Sequence, residues 1–416
     1  MAKVIIIGGG IIGLSSAYYL LQQGHQITII DKTDMLDGCS YGNAGYVSPS
    51  HFVPLASPGI VKQGFKWMLN AKSPFYVQPR LSKSLVNWGT KFIKSANPRH
   101  AAASAVPLRD INLLSKKLYE DLCTVPGFSF YYANKGMLDF FQTDENAHHG
   151  EEMVEASKKL GLDATLLSKE EVQKMEPSLN MDIKGAVYFK CDAHMYPNKL
   201  MKDMIAFLIS NGVTIKTNEE VRSFIKEGNH IKGVQTNASE YFGDYVVLAA
   251  GAWSGEMASK LNLNIPMAGG RGYSMTYEDL PYKIKHPIIL SEAKVAITPM
   301  AENKIRFGGT MEITSTNTPP RMNRVKGILE SVKRYFPDAD IPFPEKDKIW
   351  FGFRPCSADG LPYIGKTGKY NNLVIASGHA MLGLSLGPAT GKLVSEIINA
   401  EATSIDVKAF DPDRFN

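Results

Sequence analysis

The stretch KVIIIGGGIIGLSSAYYLLQQGHQITIID, residues 3–31, decides the fold of this 416-residue chain. It begins with four β-branched residues, Val4 to Ile7, a short apolar run that is typical of a strand buried on both faces. A glycine-rich turn follows, and apolar side chains then recur at helical spacing between Leu14 and Leu21. A second short apolar run covers Gln26 to Ile30. This order predicts a strand–helix–strand unit, and therefore an α/β fold with parallel strands.

The turn between the first strand and the helix carries glycines at GxGxxG spacing. Gly8 permits a tight turn, Gly10 lets the backbone approach a pyrophosphate at the helix N-terminus, and Gly13 lets helix and strand pack closely. Asp31 ends the second strand, where a carboxylate can accept a hydrogen bond from an adenosine ribose. These features favour a dinucleotide site over a glycine turn without a ligand. They leave FAD and NAD as alternatives, although an acid at this position disfavours a 2′-phosphate.

Composition excludes several other classes of protein. Hydrophobic residues make up 44% of the chain and charged residues 21%, without a low-complexity tract, so disorder and fibrous structure are excluded. The net charge of +5 is too small to indicate a nucleic-acid partner. The four cysteines form no CxxC pair and no Cys/His ligand cluster, so we predict no disulfide framework, no metal site and a reducing, cytoplasmic compartment. Glycines and polar residues interrupt the uncharged N-terminal stretch, which favours a folded unit over a signal peptide or membrane span.

Two later segments favour FAD. Tyr245–Leu248 has the pattern of a buried strand and runs into small residues at 249–252, which allow close approach of a cofactor or simply permit packing. Leu373–Ala376 is a similar strand, and it leads through a glycine-rich turn at 377–387 into a helix predicted over residues 388–399. A turn aimed at a helix N-terminus suits the partial negative charge on the pyrimidine edge of a reduced flavin. Taken alone, it is equally consistent with a capped terminal helix.

Five motifs in a fixed order carry a family resemblance: GGGIIG, GNAGYVSP (Gly42–Pro49), DYVVLAAGAWS (Asp244–Ser254), GFRPCSADGLPYIG (Gly352–Gly365) and SGHAMLGLSLGPATG (Ser377–Gly391). Over nearly its whole length the chain resembles the D-amino acid oxidase superfamily, and within it the bacterial D-amino acid dehydrogenases and the related D-hydroxyproline dehydrogenases. The resemblance implies a Rossmann-type FAD-binding domain assembled from residues 1–90, 190–256 and 350–416. It also implies a discontinuous, antiparallel-sheet α+β substrate domain formed by residues 91–189 and 257–349. Between these motifs, residues 221–225, 230–236 and 241–248 read as an antiparallel meander.

The same resemblance implies which residues hold FAD. The loop Ser40–Gly45 would run along the flavin, Val221 would offer backbone groups to the adenine, and the turn Gly378–Leu384 would lie beside the flavin ring. The full predicted set is Gly8, Gly10, Ile11, Ile12, Gly13, Asp31, Lys32, Ser40, Asn43, Ala44, Gly45, Val221, Ala250, Gly251, Trp253, Gly378, Met381, Leu382, Gly383 and Leu384. Some sarcosine-oxidising relatives attach their flavin through a cysteine. Cys356 has no matching attachment motif, so we predict non-covalent FAD.

Arg354 is the predicted anchor for a substrate carboxylate. Trp350, Phe351 and Phe353 precede it, so its guanidinium emerges from an apolar stretch and needs an anion. The planar guanidinium matches a carboxylate with two parallel hydrogen bonds, and the family position of Arg354 implies the same role. The alternative is an internal ion pair, for which Asp359 is the nearby candidate.

Three further side chains are predicted at the substrate pocket. Tyr273 is a pocket wall by family position, and a structural tyrosine of the sheet is an equal alternative. His51 and His379 border the predicted pocket, against the alternative that each is merely hydrogen-bonded in the interior.

The implied reaction is oxidation of a D-amino acid. Hydride would pass from Cα to flavin N5, and the imine would hydrolyse to a 2-oxo acid and ammonia, with electrons going to a quinone or another respiratory acceptor. The alternatives are a D-proline or hydroxyproline dehydrogenase, a glycine- or sarcosine-type oxidase that uses oxygen, an NAD-dependent dehydrogenase, and a flavin subunit of an electron-transfer complex.

Charge distribution suggests a contact with a membrane. Residues 38–109 contain nine lysines and arginines and no acidic residue. Within residues 60–100, Leu81, Leu85, Trp88 and Phe92 follow a helical stripe, with lysines on the other faces. Basic charge with aromatic residues suits an anionic bilayer, so the segment predicts peripheral docking on the inner face of the cytoplasmic membrane. The alternative is a globular helix with a solvated basic face.

Overall fold

The computed structural model describes residues 1–68 and 72–416. Its strands are β1 Lys3–Ile7, β2 Gln26–Ile30, β3 Tyr46–Val47, β4 Phe75–Val77, β5 Tyr132–Ala133, β6 Met137–Phe141, β7 Ala164–Ser168, β8 Gly185–Phe189, β9 Ala193–Met195, β10 Thr214–Lys216, β11 Val221–Glu227, β12 His230–Thr236, β13 Glu240–Phe242, β14 Tyr245–Leu248, β15 Met267–Glu278, β16 Ile288–Leu290, β17 Val295–Pro299, β18 Lys304–Ile313, β19 Ile349–Ser357, β20 Tyr363–Lys366 and β21 Leu373–Ser377. Its helices are α1 Ile11–Gln22, α2 Ile60–Met68, α3 Lys83–Ser95, α4 Pro98–Leu122, α5 Asp144–Lys159, α6 Lys169–Met175, α7 Pro197–Ser210, α8 Ser254–Ser259, α9 Met322–Tyr335 and α10 Gly387–Ile398.

The predicted strand–helix–strand unit forms the centre of a six-stranded sheet with the order β10-β2-β1-β14-β21-β20. All neighbouring pairs in it are parallel except β20 with β21. Strand β1 is buried from Val4 to Ile7, as its continuous β-branched run predicts. Helix α1 packs against α7 and α10 on one face of the sheet. The carboxyl ends of β1, β14 and β21, where parallel α/β sheets bind ligands, therefore lie side by side.

A second, nine-stranded sheet has the order β19-β15-β18-β17-β16-β6-β8-β7, and β4 pairs with β18. Most of its pairs are antiparallel, and helix α9 packs on β18 and β15 over the apolar cluster behind the sheet. Glycines are concentrated where β15 and β18 meet, at Gly270, Gly272, Gly308 and Gly309. A side chain at Gly272 would overlap the Arg354 guanidinium, and one at Gly270 would overlap Met311 and Cys356, so these two glycines leave room for their neighbours in the sheet.

One predicted strand is wrong. Residues 241–248 do not form a single strand of a meander, because β13 pairs with β12 in a small three-stranded sheet whereas β14 joins the six-stranded sheet. The chain passes from one sheet to the other at Gly243 and Asp244. The Asp244 carboxylate accepts a hydrogen bond from the Lys3 backbone N–H at 2.7 Å, which starts β14 beside β1.

Two elements lie across the predicted domain boundaries. Strand β19 covers the start of the 350–416 segment, yet it pairs with β15 in the nine-stranded sheet. Helix α4 falls in the 91–189 segment, yet it packs on α10, and the Tyr119 hydroxyl donates to the Leu384 carbonyl at 2.6 Å. The division of the chain into two domains remains a proposal with these two elements reassigned.

The predicted membrane-facing stripe points inward. Trp88 is 4% exposed, donates its indole N–H to the Cys356 carbonyl at 3.0 Å and stacks on Phe92. Leu85 packs in the same cluster, whereas Leu81 precedes α3 and is fully exposed. The apolar stripe therefore belongs to the protein core, as the globular alternative predicts. Residues 69–71 of the predicted docking segment lie outside the described residues, and within the described ones no helix is long and apolar enough to cross a membrane.

Candidate active site

The glycine turn after β1 has the form that the sequence predicts. Gly8 has φ of +108°, and a side chain there would overlap the Ala249 carbonyl at the end of β14. A side chain at Gly13 would overlap the Gly8 carbonyl, so this glycine allows α1 to pack on the turn. Gly10 differs from both, because its φ of −72° suits any residue and a Cβ would meet only Ser40 Oγ at 3.5 Å. Nothing in the described protein requires glycine at position 10, whereas a ligand backbone at the α1 N-terminus would.

A cavity of about 1060 Å³ extends from this turn between the two sheets. It is lined by most of the residues predicted to bind cofactor or substrate, namely Gly8, Gly10, Ile11, Ile12, Asp31, Lys32, Ser40, Asn43, Ala44, Val221, Ala250, Gly251, Trp253, Met381, Leu382, Gly383, Leu384, His51, Tyr273, Arg354 and His379. Gly13, Gly45 and Gly378 do not line it. They pack behind its wall, against the Gly8 carbonyl, the Met195 carbonyl and the Tyr363 ring respectively.

One end of the cavity has groups that suit an adenosine. Asp31 accepts hydrogen bonds from the backbone N–H groups of Gly9 at 2.7 Å and Thr33 at 2.8 Å, which fix its carboxylate beside the glycine turn. Next to it, the Lys32 ammonium lies 3.4 Å from the centre of the Trp253 ring, and burial lowers its pKa. Val221, at the start of β11, lines the same end. A carboxylate, a helix N-terminus and a glycine that lets a ligand approach the backbone together fit the adenosine diphosphate half of FAD.

The loop 40–45 lines the cavity from Ser40 to Ala44 and is held by the nine-stranded sheet. Arg306, 4% exposed on β18, donates to the carbonyls of Tyr41 at 3.0 Å and Asn43 at 2.6 Å. Ser274 on β15 donates to the Gly42 carbonyl at 3.0 Å. Arg306 was not predicted as a site residue, because nothing local to β18 indicates that it anchors a loop more than 260 positions away.

Arg354 lies where the small residues of the sheet leave room for it. Arg354 pairs with Gly270 across β15 and β19, and a side chain at Gly272, two positions further along β15, would overlap the guanidinium. The guanidinium donates to the Thr310 carbonyl at 2.6 Å, and no carboxylate lies within ion-pair distance in residues 1–68 and 72–416. Burial lowers the pKa of Arg354. Asp359, the alternative partner, instead pairs with Arg414 at 2.7 Å, so the donors of Arg354 face the cavity without an internal anion.

Tyr273 borders the cavity, but its hydroxyl is not available to a ligand. It donates to the Glu312 carboxylate at 2.8 Å and accepts from the Arg321 N–H at 2.8 Å. Burial is the largest cause that raises its pKa. In the β15–β19 register Tyr273 pairs with Phe351, three positions before Arg354. Because successive side chains alternate, Tyr273 and Arg354 extend from opposite faces of the sheet. Tyr273 therefore lines the cavity, as a pocket wall would, while its hydroxyl is engaged within the sheet, as the alternative of a structural tyrosine predicts.

The two histidines differ in their surroundings. His379 Nε2 is 2.9 Å from Thr390 Oγ1, its Nδ1 has no partner among the described residues, and burial lowers its pKa to about 3. His51 also lines the cavity, with Nδ1 3.2 Å from Ser50 Oγ. Burial, with a smaller effect of Lys294, lowers the pKa of His51 to about 4. Both imidazoles are therefore neutral near pH 7.

Several residues that line the cavity were not predicted. Cys39 lies near Arg354, and burial raises the pKa of its thiol to about 12. Asp139 on β6 accepts from Ser291 Oγ at 2.6 Å, and Lys294 follows in the β16–β17 turn. These residues come from segments without a motif and meet only because β6, β16 and β17 are neighbours in the sheet. A single sequence contains no signal that would bring them together.

Comparisons with known proteins agree with this geometry. The family model described as DAO, FAD dependent oxidoreductase, matches residues 3–397. D-amino acid dehydrogenase from Helicobacter pylori is 30% identical over 95% of this chain and 94% of its own, and the protein of the same name from Bradyrhizobium diazoefficiens is 29% identical over 99% of each. Among solved structures, glycine oxidase from Geobacillus kaustophilus superimposes with a TM-score of 0.78 at 21% identity over 100% of both chains. L-proline dehydrogenase from P. horikoshii gives 0.75 at 20% identity over 100% of this chain and 97% of its own.

The last two similarities show the fold. The family match covers almost the whole chain, and the glycine turn, Asp31 and the cavity beside them fit the cofactor that the family uses. The chain therefore belongs to the DAO family of FAD-dependent oxidoreductases.

Proposed function

We propose that the chain is an FAD-dependent D-amino acid dehydrogenase. The observation that carries the proposal is Arg354, a partly buried guanidinium that lines the cavity without an internal carboxylate. An α-amino acid supplies the missing anion. The relatives named D-amino acid dehydrogenase support the choice of substrate class and of its stereochemistry.

In this proposal, different residues bind the cofactor and the substrate. Gly10, the first turn of α1 and Asp31 would hold the adenosine diphosphate half of FAD, and the loop 40–45 with the turn 378–384 would hold the flavin ring. FAD, when bound, supplies the acceptor for the hydride that leaves the substrate Cα, after which the imine hydrolyses to a 2-oxo acid and ammonia. Arg354 would fix the substrate carboxylate with two parallel hydrogen bonds and so orient Cα.

FAD would be held without a covalent bond. Cys356 does not line the cavity, and its thiol lies buried against Met311 Sδ at 3.8 Å. Cys39 does line the cavity, but burial suppresses its thiolate, which is the reactive form. Acid precipitation should therefore release the flavin into the supernatant. A yellow protein pellet would contradict non-covalent binding.

The test of the proposed function is anaerobic mixing of the purified holoenzyme with D- and L-amino acids, glycine and D-proline. We expect at least one D-amino acid to bleach the flavin absorbance while its L-enantiomer does not. In air the same substrates should give little peroxide, because a dehydrogenase passes its electrons to another acceptor. If dithionite bleaches the flavin and no amino acid does, the proposal is wrong.

We further propose that the acceptor is a quinone or another respiratory carrier, reached by peripheral contact with the cytoplasmic membrane. Support comes from the outer face of α3, opposite Trp88. Val86 is 61% and Ile93 59% exposed there, and Lys83 and Lys94 flank them in the same helix. Apolar side chains among lysines suit an anionic lipid surface, at ~1 kcal/mol for each cation held near it.

Liposomes that contain phosphatidylglycerol test this contact at low salt. The double variant Lys83→Glu/Lys94→Glu should bind them several-fold more weakly than the unaltered protein. Lys158→Glu/Lys159→Glu, at the end of α5, makes the same change of charge elsewhere and serves as control. Lys91 is left unchanged because its ammonium donates to the Phe415 carbonyl at 3.0 Å. Equal binding by both double variants would refute a specific contact through α3.

A further inference from the structure

Three polar residues form a hydrogen-bonded chain that ends in the wall of the cavity. The Asp192 carboxylate, completely buried before β9, accepts from the Ser50 backbone N–H at 3.0 Å and from Ser50 Oγ at 2.6 Å. Ser50 Oγ in turn lies 3.2 Å from His51 Nδ1. Ser50 and His51 both line the cavity, whereas Asp192 lies behind them. In the described part of the chain His51 Nε2 has no hydrogen-bond partner.

The direction of these hydrogen bonds fixes the tautomer of His51. An ionised Asp192 can only accept, so the Ser50 hydroxyl proton points toward it. The Ser50 oxygen is then left as an acceptor, and His51 must carry its proton on Nδ1 to donate to it. Nε2 is consequently an unprotonated acceptor. The hydrogen bond that one imidazole nitrogen makes thus decides what the other nitrogen offers to a ligand.

We propose that His51 Nε2 accepts a hydrogen bond from the amino group of the substrate, and that Ser50 and Asp192 are positioning residues that hold His51 in this form. The inference rests on the proposed function and deepens it, since Arg354 would fix the carboxylate and His51 the amine. Two anchors on different elements determine the orientation of Cα, which one anchor alone leaves free to rotate.

The surroundings of His51 support an acceptor. Burial and the positive charge of Lys294 both oppose protonation, and they lower the pKa of His51 to about 4. An imidazolium, by contrast, would repel a substrate ammonium. Asp192 has no ion-pair partner among the described residues, and burial raises its pKa to about 6. A neutral amide at this buried position would cost less free energy than a carboxylate does. The carboxylate at position 192 is accounted for if Ser50 needs a hydrogen-bond acceptor behind it.

Asp192→Asn tests the direction of the hydrogen bonds rather than their presence. The Ser50 backbone N–H will hold the oxygen of the new amide where Asp192 Oδ1 now lies, so the amide NH2 faces Ser50 Oγ. The NH2 group then donates to Ser50, the Ser50 hydroxyl donates to His51 Nδ1, and the ring proton moves to Nε2. His51 Nε2 thus becomes a donor instead of an acceptor, while the shape of the site hardly changes. The Asp-to-Asn change of a catalytic triad alters the histidine tautomer in the same way.

The experiment compares two ligands of each holoenzyme. One is the fastest D-amino acid of the anaerobic panel, followed by flavin bleaching. The other is the carboxylic acid of equal length without the amino group, followed by its perturbation of the flavin spectrum. For His51→Ala and Asp192→Asn we expect kcat/KM of the amino acid to fall about tenfold to a hundredfold, the loss of one hydrogen bond to a charged group, and the Kd of the plain carboxylate to change less than about twofold. His148→Ala, an exposed imidazole on α5, should change neither.

The outcomes separate this inference from the proposed function. If the unaltered enzyme is bleached by D-amino acids but Asp192→Asn matches it on both ligands, the tautomer argument is wrong and the proposed function stands. If both variants weaken the two ligands equally, the three residues are structural and the inference fails. If no amino acid bleaches the unaltered enzyme, the proposed function fails and this inference with it.

Discussion

Arg354 is set apart from the other arginines of the interior by how few protein groups its guanidinium contacts. Within the described chain Arg306 also has no carboxylate partner, but it donates to four protein oxygens. Arg414 is paired with Asp359, and Arg324 with Glu312 at 3.2 Å. Arg354 has the Thr310 carbonyl alone, at 2.6 Å, although burial opposes a charge at this position. A cation removed from water is stabilised by an anion next to it, and here the anion would be the substrate carboxylate.

We therefore expect Arg354→Lys to raise the KM for a D-amino acid by roughly tenfold to a hundredfold, because a lysine cannot make two parallel hydrogen bonds to a carboxylate. Steady-state kinetics of the FAD-loaded variant measures this. Arg414→Lys is the matched control, since it alters a buried arginine whose partner is internal. It should lower the thermal midpoint and leave KM unchanged. Similar KM increases in both variants would assign Arg354 to the fold rather than to substrate.

Asp192 allows a prediction about stability and pH. Burial raises its pKa from 3.8 to about 6, so the folded protein binds this proton more tightly than the unfolded chain does. Folding is then penalised as pH rises from about 4 to about 6, and the full penalty of about 3 kcal/mol applies above that range. Asp192→Asn should therefore be more stable than the unaltered protein near pH 7.5, and the difference should disappear near pH 4.

Chemical unfolding of both proteins with saturating FAD at the two pH values measures this difference. If Asp192→Asn proves less stable than the unaltered protein at neutral pH, the hydrogen bonds from Ser50 outweigh the penalty of burial. In that case the Asp192 carboxylate would stabilise the fold as well as orient His51, with no trade-off between stability and function.

Site residues can be predicted from the sequence most directly where their chemistry lies within one motif. Gly8, Gly10 and Asp31 could be identified because a short βαβ unit fixes their geometry within 30 residues. The partner of Ser50 is Asp192, 142 positions away, and no spacing rule connects the two. The partner of the Tyr273 hydroxyl, Glu312, lies on a neighbouring strand and could likewise not be predicted.

Helix α3 illustrates what periodicity predicts at the scale of one element. The stripe of Leu85, Trp88 and Phe92 correctly indicates a helix with one apolar face. Periodicity cannot say whether protein or lipid covers that face. The answer depends on strands β15 and β19, which are distant in sequence and supply the surface against which Trp88 packs.

Trp88→Ala should consequently destabilise the protein by about 3–5 kcal/mol, as loss of a buried aromatic side chain usually does. Val86→Ala, on the exposed face of the same helix, should change stability by less than about 0.5 kcal/mol. The free energy of unfolding in urea measures both. Liposome binding should respond in the opposite way, falling for Val86→Ala and not for Trp88→Ala. A destabilising Val86→Ala would show that the outer face of α3 is also packed.

At the scale of the whole molecule, the two large sheets meet at the cavity. The six-stranded sheet supplies the glycine turn and the nine-stranded sheet supplies Arg306 and Arg354, with the loop 40–45 held between them. The sequence predicts the parallel sheet well because each strand is short, continuous and followed by small residues. It predicts the order of the antiparallel sheet poorly, since β19 returns to pair with β15 across more than 70 residues.

This architecture predicts that FAD is part of the stability of the fold. Protein stripped of FAD should unfold at a lower temperature, and added FAD at a hundredfold excess over its Kd should restore about 2.7 kcal/mol. Differential scanning calorimetry with increasing FAD measures the shift in the thermal midpoint. A midpoint that does not depend on FAD would mean that the two sheets hold together without it.

Gly10→Val is the control that distinguishes binding of FAD from a general effect of the additive. Position 10 has an ordinary backbone conformation, and a Cβ there would approach the described protein no closer than 3.5 Å, at Ser40 Oγ. The variant should thus fold with the thermal midpoint of the FAD-free protein. Its side chain would occupy the approach to the α1 N-terminus, so added FAD should not raise that midpoint. A variant that is itself unstable without FAD would show that Gly10 serves the fold, whereas one that still responds to FAD would place the pyrophosphate elsewhere in the cavity.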